Sequence, residues 1–463
     1  MAGIGFELRQ HLRKDTYAGV LRAYLVASVV GSGPWIISIS SMLFIGVLTR
    51  ASGHGAETVT SFLATVTYLM ACSLTLSGAL QLLFVRFVAD RLFEKREEAV
   101  APNLLGAMLV TTVVSGLCAA AVVASTSWSN GEGTQARDEV AFRILVVAAF
   151  VTLCNVWILS GLLSGVKAYR SVVVVFAIGY GVTVTLAPLL GRLGLAGYVA
   201  GFFVGHAVML FAGLVLVLRR YPSDRFIAFE FLERAKVHPE LALTGALLNA
   251  AVWVDKFVFW MNPVTSEPLI GPIRHSVVYD VPIFVAYLSV IPGMAVFFVR
   301  IETDFAEQYE RYYAAVRHGD TLDEIHWRGR VLAEAARSGI DDILRIQGLT
   351  VVVLLLVGEH VLALFRIPAF YSYLFNIDVA GVAFQVLLLA TLTILFYLDC
   401  RKLALYLSGL FTASNLAFSL ASQQLGPRFY GFGFLAAAAL TSLVALAVLS
   451  RKLERLDYET FMT

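Results

Sequence analysis

The sequence predicts an all-α protein that crosses a membrane twelve times, arranged as two six-helix lobes with both termini cytoplasmic. Three observations carry this reading. Of 463 residues, 59% are hydrophobic and 15% charged, where a soluble domain carries about 25% charged residues. The apolar residues gather into twelve runs, each near the roughly 20 residues that a helix needs to cross a hydrocarbon core. The Lys and Arg residues divide by loop parity, 27 on one side and six on the other, the pattern expected when cytoplasmic loops retain basic residues. A membrane barrel would instead show alternating segments of about ten residues.

Taken in order, residues 1–16 are charged, with Ile4, Leu8 and Leu12 at helical spacing. They read as a short cytoplasmic amphipathic helix, and nothing in them suggests a cleaved signal peptide. Six runs follow at 17–48, 58–85, 104–125, 140–166, 171–190 and 195–218, forming an N-lobe over 17–218. A basic stretch, 219–240, reads as a cytoplasmic inter-lobe linker. Six further runs at 241–261, 282–299, 347–365, 379–398, 403–422 and 430–450 form a C-lobe over 241–450, and 451–463 is a cytoplasmic tail. No stretch between runs reaches the roughly 50 residues at which separate domains begin. A soluble enzyme, a secreted protein and a self-powered ATPase are thereby excluded.

The formal charge of +2 argues against a nucleic-acid partner. Cys72, Cys118, Cys154 and Cys400 lie in or at the ends of apolar runs with no paired spacing, so they read as packing residues, and no metal or cofactor is expected. Gly161-Leu-Leu-Ser-Gly165-Val-Lys167 only superficially resembles a phosphate loop, because it lacks the spacing and the Ser or Thr after the lysine.

Polar groups inside the spans are the candidates for function, since ionisable side chains persist there mainly where they face a bundle interior or a hydrated cavity. Span seven places Asn249, Trp253, Lys256 and Trp260 on one helical face, with Asp255 beside Lys256. This reads as the lining of a passage; the plainer alternative is a structural ion pair. Span one carries Gly31, Gly33 and Pro34 as helix-break or gating candidates, because proline removes a backbone donor, and Tyr24, Ser28, Gly31 and Trp35 recur along one face. Close packing through small residues is the plainer reading there. Tyr68 belongs to a stripe with Ser61, Thr65 and Cys72 in span two. Glu359 and His360 in span nine can both titrate, so they form a possible coupling site, or else reach the interface. Arg143, near Asp138 and Glu139, is explained by snorkelling.

The polar arm at 302–346 keeps helical patterning, with Phe305, Tyr309, Tyr312 and Val316 on one face. After Gly319, Thr321-Leu-Asp-Glu324 reads as a capping box that opens a second helix. Glu302 to Gln347 holds ten acidic residues against seven basic ones counting Arg300, whereas a lipid-surface helix is basic on its polar face. The arm therefore reads either as a protein-binding surface or as a helix lying against its own bundle.

Several of these segments resemble the PelG family, inner-membrane transporters of Pel exopolysaccharide systems within the multidrug/oligosaccharidyl-lipid/polysaccharide flippase superfamily. The resemblance rests on Met-Ala-Gly-Ile-Gly-Phe-Glu7-Leu-Arg9, Gly31-Ser-Gly-Pro34-Trp35, Asp255-Lys256-Phe-Val-Phe-Trp260, and Tyr279-Asp280-Val-Pro282 leading through Ala286-Tyr287-Leu-Ser289 and Pro292-Gly293 to Glu302-Thr303-Asp304-Phe305. It implies a flippase-like fold and export of an N-acetylhexosamine-rich polymer across the bacterial inner membrane. It also implies a cytosolic glycosyltransferase that uses UDP-sugars, and small membrane proteins of the same system, as partners. Sugars need hydrogen-bond partners and stack on aromatic rings, so Tyr24, Trp35, Tyr68, Trp253 and Trp260 are the expected lining of an inter-lobe path. Two other readings stay open: an ion-coupled exporter or flippase of a small molecule or lipid-linked sugar, and, more remotely, a membrane-embedded transferase using Glu359 and His360. Polymer growth and an ion gradient are equally open as the driving force.

Overall fold

The computed structural model describes residues 17–51, 56–126, 128, 136–233 and 238–462. The expected amphipathic helix at 1–16 lies outside them. Twelve helical segments among the described residues are long and apolar enough to cross a membrane, and each of the twelve expected runs coincides with one of them or overruns its end by no more than five residues. The chain forms two compact units, one of residues 34–277 and one of residues 1–33 with 278–463. Both unit boundaries differ from the expected lobes. The first falls inside a helix, and the stretch at 219–240 joins two parts of the same unit.

The unit 34–277 holds the second part of α1 (Tyr17–Ala51), then α2 (Ala56–Phe93), α3 (Val100–Ser125), α4 (Ala136–Gly165), α5 (Tyr169–Leu190), α6 (Leu195–Arg220) and α7 (Pro239–Met261). Helices α5 and α6 share a long contact, and α2 packs against both α4 and α7. The seventh span sits here because α2 and α7 meet at two glycines. A Cβ on Gly245 would stand 2.1 Å from the Gly78 carbonyl oxygen, so only hydrogen side chains let the backbones approach. The Gly161 and Gly165 positions have a similar use, since Cβ atoms there would meet Gln81 and Val85 of α2 at 2.7 and 2.6 Å. They serve helix packing and cradle no phosphate.

After α7 the chain makes a feature absent from the sequence reading, a hairpin of β1 (Glu267–Ile270) and β2 (Ile273–His275) paired antiparallel. Gly271 takes φ +53 in the turn, followed by Pro272, a dipeptide that punctuates chains. Ile270 and Ile273 are buried in a cluster with Phe62, Trp128 and Phe202, which ties the hairpin to the helices.

The second unit contains α8 (Val277–Ala286) from residue 278 on, α9 (Val290–Val299), a π-helical turn (Arg300–Phe305), α10 (Ala306–His318), α11 (Leu322–Leu364), α12 (Ser372–Tyr397), α13 (Arg401–Leu425), α14 (Phe432–Glu454) and the short α15 (Leu456–Met462). The arm is thus a direct extension of two spans. Span eight continues through the π turn into α10, and the second arm helix and span nine are one 43-residue helix, because no proline interrupts 322–364. Thr321 caps it by accepting the Glu324 N–H at its hydroxyl, the expected half of the capping box. Phe305 and Tyr312 are fully buried, and Phe305 and Tyr309 pack on Tyr397 at ring distances of 5.6 and 5.4 Å. The Tyr312 hydroxyl donates to the Thr460 hydroxyl of α15 at 3.1 Å. The arm's aromatic face is therefore packed on its own unit, while Glu310, Asp323 and Glu334 stay exposed.

Candidate transport site

The sequence places five candidates on α7, and the structure assembles four of them with Tyr68 of α2. Asp255 and Lys256 are both fully buried. The Lys256 ammonium donates to Asp255 at 3.1 and 3.3 Å and to the Val252 carbonyl at 2.8 Å, and it lies 5.9 Å from the centre of the Trp253 ring. A buried ammonium needs such paired carboxylate and carbonyl acceptors to offset its lost hydration. One turn on, Trp260 stacks on Tyr68 with ring centres 4.4 Å apart, and Phe257 meets Trp260 edge-on at 5.0 Å. Trp253 stands 6.5 Å from Trp260. The result is a continuous aromatic wall with one ion pair at its edge.

The hairpin braces this wall. Arg274 donates from its Nε to the Ser266 hydroxyl and from Nη2 to the Ser266 carbonyl, both at 2.8 Å. Ser266 in turn donates to the Trp260 carbonyl at 2.7 Å, and the Arg274 N–H reaches the Tyr68 hydroxyl at 3.4 Å. Asn249, two turns before Lys256, donates to the Gly245 carbonyl at 2.9 Å beside the α2 and α7 glycine contact. It supports the crossing rather than joining the aromatic group.

The span-one candidates divide. Helix α1 is continuous through Gly31, Gly33 and Pro34, so the expected break is not seen. A Cβ on Gly31 would stand 2.5 Å from the Phe298 ring, which supports packing through a small residue. Ser28 donates to the Tyr24 carbonyl and Ser32 to the Ser28 carbonyl, each at 2.8 Å, so these hydroxyls are satisfied along the helix. Tyr24 lies within electrostatic reach of Arg300, Asp304 and Asp342. Trp35 is 45% exposed. Glu359 and His360 are exposed on α11 and make no ion pair among the described residues. Arg143 pairs with Glu139, as snorkelling toward nearby acids requires.

Four polar residues escaped the sequence reading. Asp378 is fully buried in α12, one residue before the start of the apolar run that marks this span in the sequence. His206 of α6 is buried and donates from Nδ1 to the Phe202 carbonyl at 2.8 Å; a histidine in the middle of an apolar run was the available signal. Next to it, Tyr180 is hydrogen-bonded to Ser38. Arg274 sat in a loop that the sequence left without structure.

Twelve helices long and apolar enough to cross a membrane define a multi-pass membrane protein, and comparison with solved structures shows the fold it shares. A MOP superfamily transporter from Pyrococcus furiosus is similar over 93% of this chain and 96% of its own, with a TM-score of 0.65 at 15% identity. An outward-facing multidrug resistance MATE family transporter gives 0.64 at 15% identity over 93% and 96%, and an inward-facing one 0.63 at 12% over 92% and 96%. No curated protein matches the chain. The family model described as "PelG: Putative exopolysaccharide Exporter (EPS-E)" matches residues 1–461. The chain belongs to the PelG family.

Proposed function

We propose that this protein passes a growing N-acetylhexosamine-rich exopolysaccharide across the bacterial inner membrane, with both termini on the cytosolic side. The family match over residues 1–461 supports an exopolysaccharide substrate, and the transporter fold supports movement across the membrane. The observation that carries the site is the Tyr68 and Trp260 stack beside Asp255 and Lys256. Aromatic faces take up sugar rings, and a charged pair with carbonyl acceptors handles their hydroxyls. In this reading these residues line the route, with Tyr24, Ser28 and Trp35 as further candidates. The polymer is delivered by a cytosolic UDP-sugar glycosyltransferase that contacts the arm, together with small membrane partners.

The test is export by the intact system. Tyr68→Ala with Trp260→Ala should lower secreted polymer at least about tenfold, a loss of about 1.4 kcal/mol or more in path interactions, while cytosolic UDP-sugar pools rise. Secretion at the wild-type level by a folded double variant would remove the aromatic wall from the path. An ion-coupled exporter would instead stop transport on collapse of the ion gradient with the polymerising partner still active.

A further inference from the structure

The stretch that follows α6 is not a plain polar linker. Its residues 221–232 include Tyr221, Phe226, Ile227, Phe229, Phe231 and Leu232 among only a few charges. Three contacts pin it to the helices of its own unit. The Ala228 N–H donates to the Pro102 carbonyl at 3.0 Å, the Glu230 N–H donates to the Asn103 side chain at 2.8 Å, and Phe231 is fully buried, with its ring edge-on to Phe84 at 5.6 Å. Gly106 permits this, since a Cβ there would stand 2.0 Å from the Ala228 carbonyl oxygen. Gly106 lies six residues into α3, about 9 Å along the helix at 1.5 Å per residue. The segment therefore folds back alongside the membrane helices at the basic end of the unit.

With Phe231 turned inward, its neighbours turn outward. Phe226 is 78% exposed, Leu232 48% and Phe229 44%. Large apolar side chains clustered at that depth match the boundary between headgroups and acyl chains. Behind them lies a recess of about 200 Å³ whose charged lining is Arg96, Glu98, Asp224, Arg225 and Glu230, room for a small headgroup when a water takes roughly 30 Å³. Arg96 and Arg225 flank the Glu230 carboxylate at 3.6 Å each, beyond hydrogen-bond range, and Glu98 stands 3.8 Å from Arg96. Asp224 makes no ion pair among the described residues. Two guanidiniums and three carboxylates place both signs of charge in one recess. They suit a ligand that carries a phosphate and an ammonium a few bonds apart.

We propose that this recess binds the headgroup of a zwitterionic aminophospholipid, phosphatidylethanolamine, from the leaflet at the basic end. Arg96 and Arg225 take the phosphate, for which guanidinium geometry is suited, and Asp224 with Glu98 takes the ammonium. Phe226 and Phe229 lie among the acyl chains.

The test uses the full-length protein in detergent, with lipid retention read by native mass spectrometry. Phosphatidylethanolamine should be retained about tenfold better than phosphatidylglycerol, the factor expected for about 1.4 kcal/mol of ammonium recognition. Asp224→Asn should remove most of that preference, and Arg225→Gln should lower retention of both lipids. Both side chains are exposed and make none of the three contacts that pin the segment, so the fold survives. Phe226→Trp in bilayers containing brominated phosphatidylethanolamine should show quenched fluorescence. Equal retention of the two lipids by the wild type, retention of glycerophosphoethanolamine as strong as that of the lipid, or unquenched Trp fluorescence would each overturn the proposal.

Discussion

Asp255 and Arg300 each anchor ion pairs within helices that cross the membrane, yet their surroundings are opposite. On α7 the carboxylate and the ammonium are fully buried and met by a backbone carbonyl and an aromatic ring. At the π turn Arg300 pairs with Asp342 at 2.7 Å and Asp304 at 3.1 Å while remaining more than a third exposed. Burying a charge pair has a desolvation cost of several kcal/mol per ion, which an exposed pair avoids. The buried pair is therefore the one whose loss the fold cannot absorb, and the exposed cluster serves as an adjustable joint. A π turn inserted where span eight becomes α10 fits that second role, since such turns gather where a helix must reorient functional groups.

The largest expected effect follows from this contrast. Lys256→Met leaves a carboxylate buried without its ammonium, and should destabilise the protein by about 3–5 kcal/mol, seen as a sharp loss of folded yield and a lower unfolding midpoint in detergent. Asp255→Asn should act similarly. Combined, the two changes should cost less than their sum by about 1–3 kcal/mol, because each removes what the other leaves stranded. If the double variant regains yield yet exports no polymer, the pair belongs to the transport path. If it regains both, the pair is structural.

An intermediate effect is expected at the π turn. Arg300→Ala breaks both ion pairs of a partly exposed group, so stability should fall by only about 1 kcal/mol or less. The same change loosens the link between the π turn and α11, which Arg300 makes through Asp342. Protease cleavage or hydrogen exchange in α10 should then rise, while the protection of α7 stays as it was. A stability loss as large as that of Lys256→Met would erase the distinction between the two clusters.

How much of this the sequence carried depends on the range of the interaction. Twelve spans and the cap at Thr321 depend on local pattern and were legible. The α7 constellation was legible because Asn249, Trp253, Lys256 and Trp260 share one helical face. Its partner Tyr68 could be named but not paired, since the stacking joins residues almost 200 positions apart. The break expected at Pro34 is not seen, since α1 is continuous there and Gly31 packs closely against Phe298. The packing of α7 on α2 was not legible, because the contact between Gly78 and Gly245 is tertiary and leaves no periodic signal. The hairpin at 267–275 is too short for periodicity, and only Gly271-Pro272 marked it.

The smallest effect on the fold, and the one that sharpens the comparison most, concerns the arm's exposed face. Glu310, Asp323 and Glu334 are exposed and outside every ion pair described, whereas the aromatic face formed by Phe305 and Tyr312 is buried. Replacing all three acids by Arg should change stability by no more than a few tenths of a kcal/mol per site, the usual range for free surfaces. It reverses the charge presented to any partner, which acts mainly on encounter and specificity. Under the proposed function, co-purification of the cytosolic glycosyltransferase should fall, with membrane insertion and unfolding midpoint unaltered. Unchanged co-purification and export in that triple variant would leave the arm as a helix pair packed on its own unit. The arm would then resemble α7 in being held entirely from within, and the partner contact would have to be sought on another cytosolic loop.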